Sequence, residues 1–146
     1  MRRYPSGISV VGVEAGGERL AVTMASLVSL SLEPPLVGIS VGKQNALHEL
    51  LREAGEFGVS LLAGDQERLA SRFARGLPPI GLWKDVAVRE GDGPPLLEGA
   101  LGWLRCSVAG ECDAGDHTFF IGAVEWLEPG GGREPLVYVG STYRSL

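Results

Sequence analysis

Short apolar segments separated by turn-forming residues make up most of the chain. The segments are rich in β-branched residues, which favour strands, and are bounded by glycine and proline, of which the sequence contains 22 and 9. This pattern predicts a mainly β protein. The predicted strands are residues 7–14, 19–26, 36–41, 57–62, 82–89, 99–111, 117–127 and 135–140.

Glycines and prolines predict how the first strands are connected. Gly16 and Gly17 lie between the first two strands and can adopt the positive φ of a tight hairpin, so these strands should pair antiparallel. Residues 27–33 are rich in serine and are predicted to form a loop. Pro34 and Pro35 have no backbone donor, so they should end that loop before the next strand.

Two segments have helical periodicity. Within residues 44–54, Asn45 is suited to cap the start of a helix and Gly55 to end it in a left-handed conformation. A second helix is predicted to start near Asp65 and to end before Gly76. The apolar faces of the two helices are predicted to contain Leu47, Leu50, Leu51 and Ala54, and Leu69 and Phe73, respectively.

The number of strands predicts the fold class. Seven or more strands at regular spacing, with two short helices inserted, are typical of a closed β-barrel, which leaves no strand edge exposed. The 146 residues are enough for one sizeable core but too few for two full-sized domains. We therefore expect a single domain over residues 1–146.

Composition and charge exclude several classes of partner. The chain is 45% hydrophobic and 21% charged, which is typical of a globular protein, and no apolar run approaches the roughly 18 residues of a membrane helix. The net charge is −5 and only Arg2 and Arg3 are paired basic residues, so nucleic acid is not an expected partner. The N-terminal residues lack a signal-peptide pattern, and we expect a cytoplasmic protein.

Cysteine and histidine positions argue against disulfides and metals. Cys106 and Cys112 fall in one predicted strand, about 20 Å apart, which is beyond disulfide reach. We expect both to be reduced core residues. No CxxC pair exists and His48 lies far from His117 in sequence, so no metal site is predicted.

The richest polar cluster follows the second predicted strand. Small side chains and hydroxyls there would let a planar or phosphorylated ligand approach the backbone. The simpler alternative is a turn whose hydroxyls satisfy their own backbone. The cluster comprises Thr23, Met24, Ala25, Ser26, Ser29 and Ser31.

A second cluster joins the end of a strand to the start of the first helix, where free N–H groups and the helix dipole favour an anion. A third lies at the end of the second helix and offers guanidiniums and an aromatic ring to a phosphate or a stacked base. The structural alternative for the second cluster is that Asn45 only caps the helix and Lys43 is an exposed charge. For the third cluster it is that the arginines only complement the helix dipole and Phe73 is a core residue. The second cluster is Ser40, Val41, Gly42, Lys43 and Asn45; the third is Ser71, Arg72, Phe73 and Ala74, followed by Arg75.

His117 is the candidate for chemistry. It begins a predicted strand beside Asp116 and is suited to contact the polar edge of a substrate or to act as an acid or base. The alternative is an exposed histidine with a carboxylate neighbour. No serine or cysteine nucleophile flanks it in a motif, so a hydrolase has little support. For His48 the sequence leaves open whether it faces a ligand or the solvent.

Several blocks, in order along nearly the whole chain, resemble the flavin reductase-like, FMN-binding split-barrel family. The serine block with its double proline and the Gly-Asp-His-Thr block are each specific, and their joint occurrence at this spacing makes coincidence improbable. The blocks are residues 5–11, 23–26, 29–37, 115–122 and 143–144.

The resemblance implies a homodimeric, Greek-key split β-barrel that holds FMN or FAD near the dimer interface and reduces it by direct hydride transfer from NADH or NADPH. It implies that residues 23–26 lie along the isoalloxazine ring, that residues 40–45 meet the ribityl chain and phosphate, and that residues 71–75 close the phosphate side. His117 would border the nicotinamide. Residues 44–47 depart from the hydroxyl and arginine pattern of many relatives, which leaves fewer contacts to phosphate.

Three functions follow as hypotheses. The first is an NAD(P)H-dependent flavin reductase that supplies exchangeable reduced flavin to a separate monooxygenase. The second is a flavoprotein with tightly bound FMN that carries electrons or reduces another acceptor. The third is a split-barrel module that binds a ligand without redox activity.

Overall fold

The computed structural model describes residues 1–76 and 78–146. As predicted, most of the regular structure is β. No helix in these residues is long and apolar enough to cross a membrane. The strands are β1 (Ser6–Gly7), β2 (Ser9–Ala15), β3 (Glu18–Met24), β4 (Val28–Leu32), β5 (Pro35–Gly42), β6 (Glu56–Leu61), β7 (Gly102–Ala114), β8 (His117–Pro129), β9 (Leu136–Val139) and β10 (Thr142–Ser145), and the helices are α1 (Ala46–Ala54), α2 (Glu67–Ala74) and α3 (Pro79–Leu82).

The strands form two antiparallel sheets. The large sheet has the order β3-β2-β6-β7-β8-β5-β4, and the small sheet has the order β1-β9-β10. The large ladder therefore has two ends, β3 and β4, among the described strands, whereas the strand count predicts a closed ring. The chain passes from the small sheet to the large one at residues 8 and 9: Ile8 donates its N–H to the carbonyl of Leu136, and Ser9 pairs with Met24.

The predicted β2–β3 hairpin is confirmed. The two strands pair antiparallel from Ser9 opposite Met24 to Ala15 opposite Glu18. Gly16 and Gly17 make the turn with φ of 57° and 78°, a region that residues with a Cβ rarely adopt.

Helix α1 begins and ends at the predicted residues. The side chain of Asn45 accepts a hydrogen bond of 2.9 Å from the N–H of Leu47, and Gly55 adopts φ 67° while its N–H donates to the carbonyl of Leu51. The predicted apolar face of α1 packs against the core, as do half-buried Leu69 and buried Phe73 of α2.

A long connection between α3 and β7 covers one end of the large sheet. Leu96 and Leu97 are buried there, and the glycines of β2 and β6 let the connection approach the strands closely. A Cβ added at Gly12 would lie 2.6 Å from the carbonyl oxygen of Pro95, and one added at Gly58 would lie 2.7 Å from Leu96. These two glycines are therefore required by the packing.

The strand predicted at residues 82–89 is wrong. Its first residue ends α3, and Asp85 takes a positive φ of 58°, which interrupts an extended chain. Only Val88 makes an isolated bridge, to Leu97. The apolar spacing instead reflects packing, since Leu82 is buried and Trp83 packs on Phe73 at a ring distance of 5.2 Å.

The loop predicted at residues 27–33 is also wrong, because Val28–Leu32 form edge strand β4 beside β5. Strand β10 was not predicted, and β7 begins at Gly102 rather than at residue 99.

The two cysteines of β7 are free, but only Cys106 is a core residue. Burial raises the pKa of Cys106 to about 12, whereas Cys112 is exposed, contrary to prediction.

Candidate functional site

A cavity of about 740 Å³ lies where the two sheets meet. The end of β3, the end of β5 and the start of β8 form one wall, and the N-terminal residues with β9 and the turn before β10 form the other. It brings together nine of the predicted site residues: Thr23, Met24, Ala25, Ser26, Ser40, Val41, Gly42, Asn45 and His117.

The segment after β3 has small side chains and free backbone donors. The Ser26 hydroxyl accepts the N–H of Ser40 at 3.1 Å and donates to its carbonyl at 3.3 Å, which ties this segment to β5. The N–H groups of Ala25 and Ser26 make no hydrogen bond with any residue that the structure describes. Thr23 donates its hydroxyl hydrogen to the carbonyl of Ala70 at 2.7 Å, which fixes α2 beside the cavity.

The β5–α1 junction places a helix N-terminus at the cavity. The chain turns at Gly42 and Asn45, whose N–H donates to the Gly42 carbonyl at 3.0 Å, and α1 follows directly. The positive end of the helix dipole therefore faces this side of the cavity. Lys43 does not line the cavity, and its ammonium pairs with the carboxylate of Asp113.

His117 faces the cavity from the start of β8, opposite Gly42 in the ladder. Its Nδ1 donates to the Asp116 carboxylate at 2.7 Å, since an ionised carboxylate can only accept. This hydrogen bond and the nearby imidazole charge lower the pKa of Asp116. The other ring nitrogen, Nε2, points toward Gly42, where an added Cβ would lie 3.8 Å from it.

His48 lies behind this wall. The side chain of His48 is buried, so it does not face the solvent. It does not line the cavity either. Its Nε2 shares a 2.7 Å hydrogen bond with the hydroxyl of Thr118, and its Nδ1 contacts Glu49 at 3.0 Å. His48 thus links α1 to β8 beside His117.

A second cavity of about 460 Å³ adjoins the first, because Val22 and Asn45 line both. Phe73 and Ala74 of α2 line this second cavity. The two cavities together form a groove that passes the N-terminus of α1 and reaches the end of α2.

The remaining predicted site residues lie elsewhere. Ser71 and Arg72 line a separate cavity on the far side of α2, and the Arg72 guanidinium donates to the carbonyl of Lys84 at 2.5 Å. Ser29 and Ser31 lie on edge strand β4 and line neither cavity of the groove.

The wall formed by the small sheet was not predicted from the sequence. Arg2, Tyr4, Tyr138 and Ser141 line the main cavity there. Short strands at the two ends of the chain meet only in the fold, so no local pattern marks these residues. The one available signal was the Arg2-Arg3 pair in a chain whose other basic residues are scattered.

No group of three or more potential metal ligands occurs among the residues that the structure describes. The main cavity offers hydroxyls, an amide, the imidazole of His117, backbone donors and the guanidinium of Arg2, and Glu18 lines the adjoining cavity. Such a set suits a planar, hydrogen-bonding ligand with a phosphate tail.

Comparison with known proteins decides the family. The family described as Flavin reductase like domain matches residues 1–146. The chain belongs to this family. The reductase component of 4-hydroxyphenylacetate 3-monooxygenase from Thermus thermophilus is 40% identical over 146 residues, which cover 100% of this chain and 92% of that protein. An NADH-dependent flavin reductase from a Rhodococcus species is 38% identical and covers 99% of this chain, with 81% of its own length matched.

Solved structures of flavin reductases also match this fold. The NADH:FAD oxidoreductase SgcE6 of Streptomyces globisporus C-1027, in complex with NAD and FAD fragments, superposes with a TM-score of 0.92 at 34% identity. The match covers 99% of this chain and 87% of that chain. The split-barrel fold class that the resemblance implies is thereby confirmed for this flavin reductase-like chain.

Proposed function

We propose that this protein is an NADH-dependent flavin reductase that takes FMN or FAD as the hydride acceptor. The observation that carries the proposal is the cavity in which the segment after β3, the α1 N-terminus and His117 meet. The names of the relatives at 40% and 38% identity support the same reaction. The match over residues 1–146 supports one flavin reductase-like domain.

The residues present fit a flavin. The side chains of Ala25, Ser26 and Ser40 are small and Gly42 has none, and a cavity of about 740 Å³ is in the usual range for a ligand of this size. We propose that the ring system lies along the segment after β3 and that the phosphate side faces Asn45 and the adjoining cavity. When bound, the flavin provides a hydride acceptor and the nicotinamide provides the hydride.

The protein's own contribution is placement and electrostatics. The unpaired N–H groups of Ala25 and Ser26 are suited to donate to a ring that gains electron density. His117, held by Asp116 at 2.7 Å, is suited to hydrogen-bond the nicotinamide through Nε2. Hydride transfer needs no nucleophile, which agrees with the residues of the groove.

We propose that the reduced flavin leaves for a separate monooxygenase, as the name of the Thermus thermophilus relative indicates for that protein. A cytoplasmic location is proposed with it, because that compartment holds the nicotinamide nucleotide pool and keeps thiols such as Cys112 reduced.

We also propose a homodimer. Strand β4 is the end of the large ladder, and its apolar side chains are exposed: Val28 by 43%, Leu30 by 44% and Leu32 by 88%. Three exposed apolar side chains on one short edge strand are typical of an interaction surface. A second copy of the chain would cover them.

The test begins with the absorbance of purified, dialysed protein, followed by NADH and NADPH oxidation with and without FMN or FAD. We expect a colourless protein that oxidises NADH only when flavin is added. A protein that stays yellow and needs no added flavin would instead be a flavoprotein with fixed FMN. Failure to oxidise either nucleotide would refute the reductase.

A variant pair tests the site. Ala25→Trp places a large ring in the cavity and should abolish flavin binding and turnover. Ala109→Trp places the same ring at an exposed position of β7, outside the cavity, and should leave both unchanged. Unchanged flavin binding and turnover in Ala25→Trp would show that the site lies elsewhere.

A further inference from the structure

The main cavity has an arginine on its small-sheet wall. Among the described residues that line the cavity, Arg2 is the only lysine or arginine, and no aspartate or glutamate lines it. A negatively charged group of a ligand would therefore meet an attractive cation here without a competing carboxylate.

The backbone of Arg2 is held in place by a hydrogen bond, and its side chain is available to bind a ligand. Its carbonyl accepts the N–H of Gly140 at 2.7 Å, which fixes the N-terminal segment against the turn between β9 and β10. Its guanidinium makes no hydrogen bond or ion pair with any residue that the structure describes. Arg2 therefore needs to break no interaction to bind an anion.

Two other cations that the sequence singles out, Lys43 and Arg72, are already engaged. Lys43 pairs with Asp113, and the Arg72 guanidinium is held by backbone carbonyls outside the groove. On the opposite wall, the N-terminus of α1 and Asn45 provide the donors for the flavin phosphate in the proposed function. Arg2 is thus left for a second phosphate-bearing molecule.

We propose that Arg2 binds the pyrophosphate of NADH, an inference that rests on the proposed function. If the nicotinamide of NADH lies at His117, the rest of the dinucleotide, with its pyrophosphate, can extend to the opposite wall of the same cavity, where Arg2 lies. The planar guanidinium can donate two parallel hydrogen bonds to phosphate oxygens, which a lysine cannot reproduce. Arg2 is therefore assigned to nucleotide affinity and not to the hydride transfer itself.

The test uses the complete protein and two probes that do not turn over, NAD⁺ and ADP-ribose, with binding followed by isothermal titration calorimetry. Losing a charge-assisted hydrogen bond weakens binding by about tenfold or more, so Arg2→Ala should raise both dissociation constants about tenfold. Arg2→Lys should recover part of the loss. Salt should weaken binding to the wild type more steeply than to Arg2→Ala.

Arg3→Ala is the matched control, because Arg3 is the adjacent exposed arginine and does not line the cavity. It should leave both affinities unchanged, and Arg2→Ala should leave the affinity for FMN unchanged.

Three results would overturn the inference: wild-type affinity in Arg2→Ala, equal losses in the Arg2 and Arg3 variants, or a loss confined to FMN. If the wild type binds neither probe, the inference also fails. NADH oxidation with added flavin in the same preparation then shows whether the proposed function fails with it.

Discussion

His117 is held by a hydrogen bond on one nitrogen and presents the other to the cavity. Nδ1 donates to Asp116 at 2.7 Å, which fixes the orientation of the ring. A histidine held in this way is suited to orient a substrate.

We expect His117→Ala to lower kcat/KM for NADH by about tenfold, because one hydrogen bond to the nicotinamide is lost. The affinity for FMN should not change, since the proposed flavin contacts lie at residues 23–26. Steady-state kinetics and a separate FMN titration check both expectations. Unchanged kinetics for NADH would remove His117 from the site.

Asp116 offers a test that needs no ligand. The hydrogen bond from His117, and then its charge, lower the pKa of this carboxyl below its ordinary value of 3.8. A lowered pKa in the folded protein means that the pair contributes stability above the ordinary pKa and loses it as the pH falls through the lowered value. In His117→Ala the pKa of Asp116 should therefore rise toward 3.8.

Carboxyl chemical shifts followed through a pH titration measure this pKa. His117→Gln can donate a hydrogen bond without a charge, so it should retain part of the lowering. An Asp116 pKa that is the same in all three proteins would mean that the two side chains do not interact in solution.

At the level of elements, the connection before β7 packs closely on strands β2 and β6 at their glycines, Gly12 and Gly58. An added Cβ at Gly12 would lie 2.6 Å from the Pro95 carbonyl oxygen, which is backbone and cannot easily move away. The packing of this end of the sheet therefore depends on a position without a side chain.

Gly12→Ala should lower the free energy of unfolding by about 1–3 kcal/mol, the usual cost of overpacking a core. Gly110→Ala on β7 is the control, because the nearest atom to its added Cβ is Ile121 Cδ1 at 4.0 Å. Denaturant unfolding of the two variants gives the comparison. Equal effects would mean that strand propensity, and not the Pro95 contact, decides the outcome.

At the level of the whole molecule, local patterns predicted the elements that depend on neighbouring residues. The cap at Asn45, the end of α1 at Gly55 and the Gly16-Gly17 hairpin were predicted because each is determined within a few residues. Val28–Leu32 form a strand although serines followed by a double proline are typical of a loop, because pairing with β5 outweighs the local pattern.

The parts of the site that could not be predicted depend on pairing between distant residues. The backbone of Arg2 bonds to the turn at Gly140, which holds its segment at the cavity, and buried His48 bonds to Thr118, 70 residues further along the chain. The polar clusters around residues 23–26, 40–45 and 117 were singled out, yet only the fold shows that they share one cavity. The fold also places Phe73 and Arg72, which are neighbours in one predicted cluster, in two different cavities.

The edge of the large sheet provides the last prediction, on assembly. Leu32 is 88% exposed on β4, and Ile80, 98% exposed on α3, lies outside this strand, so both can accept a lysine without disturbing the core. If a second copy covers β4, Leu32→Lys should weaken the dimer by about tenfold or more, because a charge would be buried in an apolar contact.

Ile80→Lys should leave the dimer intact. Sedimentation equilibrium of the wild type and both variants measures the dissociation constants. A wild type that is monomeric at all concentrations would refute the homodimer, whereas a dimer that both variants weaken equally would move the interface away from β4. Because Leu32 does not line the cavity, a Leu32→Lys monomer that still binds FMN would show that one chain forms the flavin site, and a monomer that loses FMN would show that the partner copy completes it.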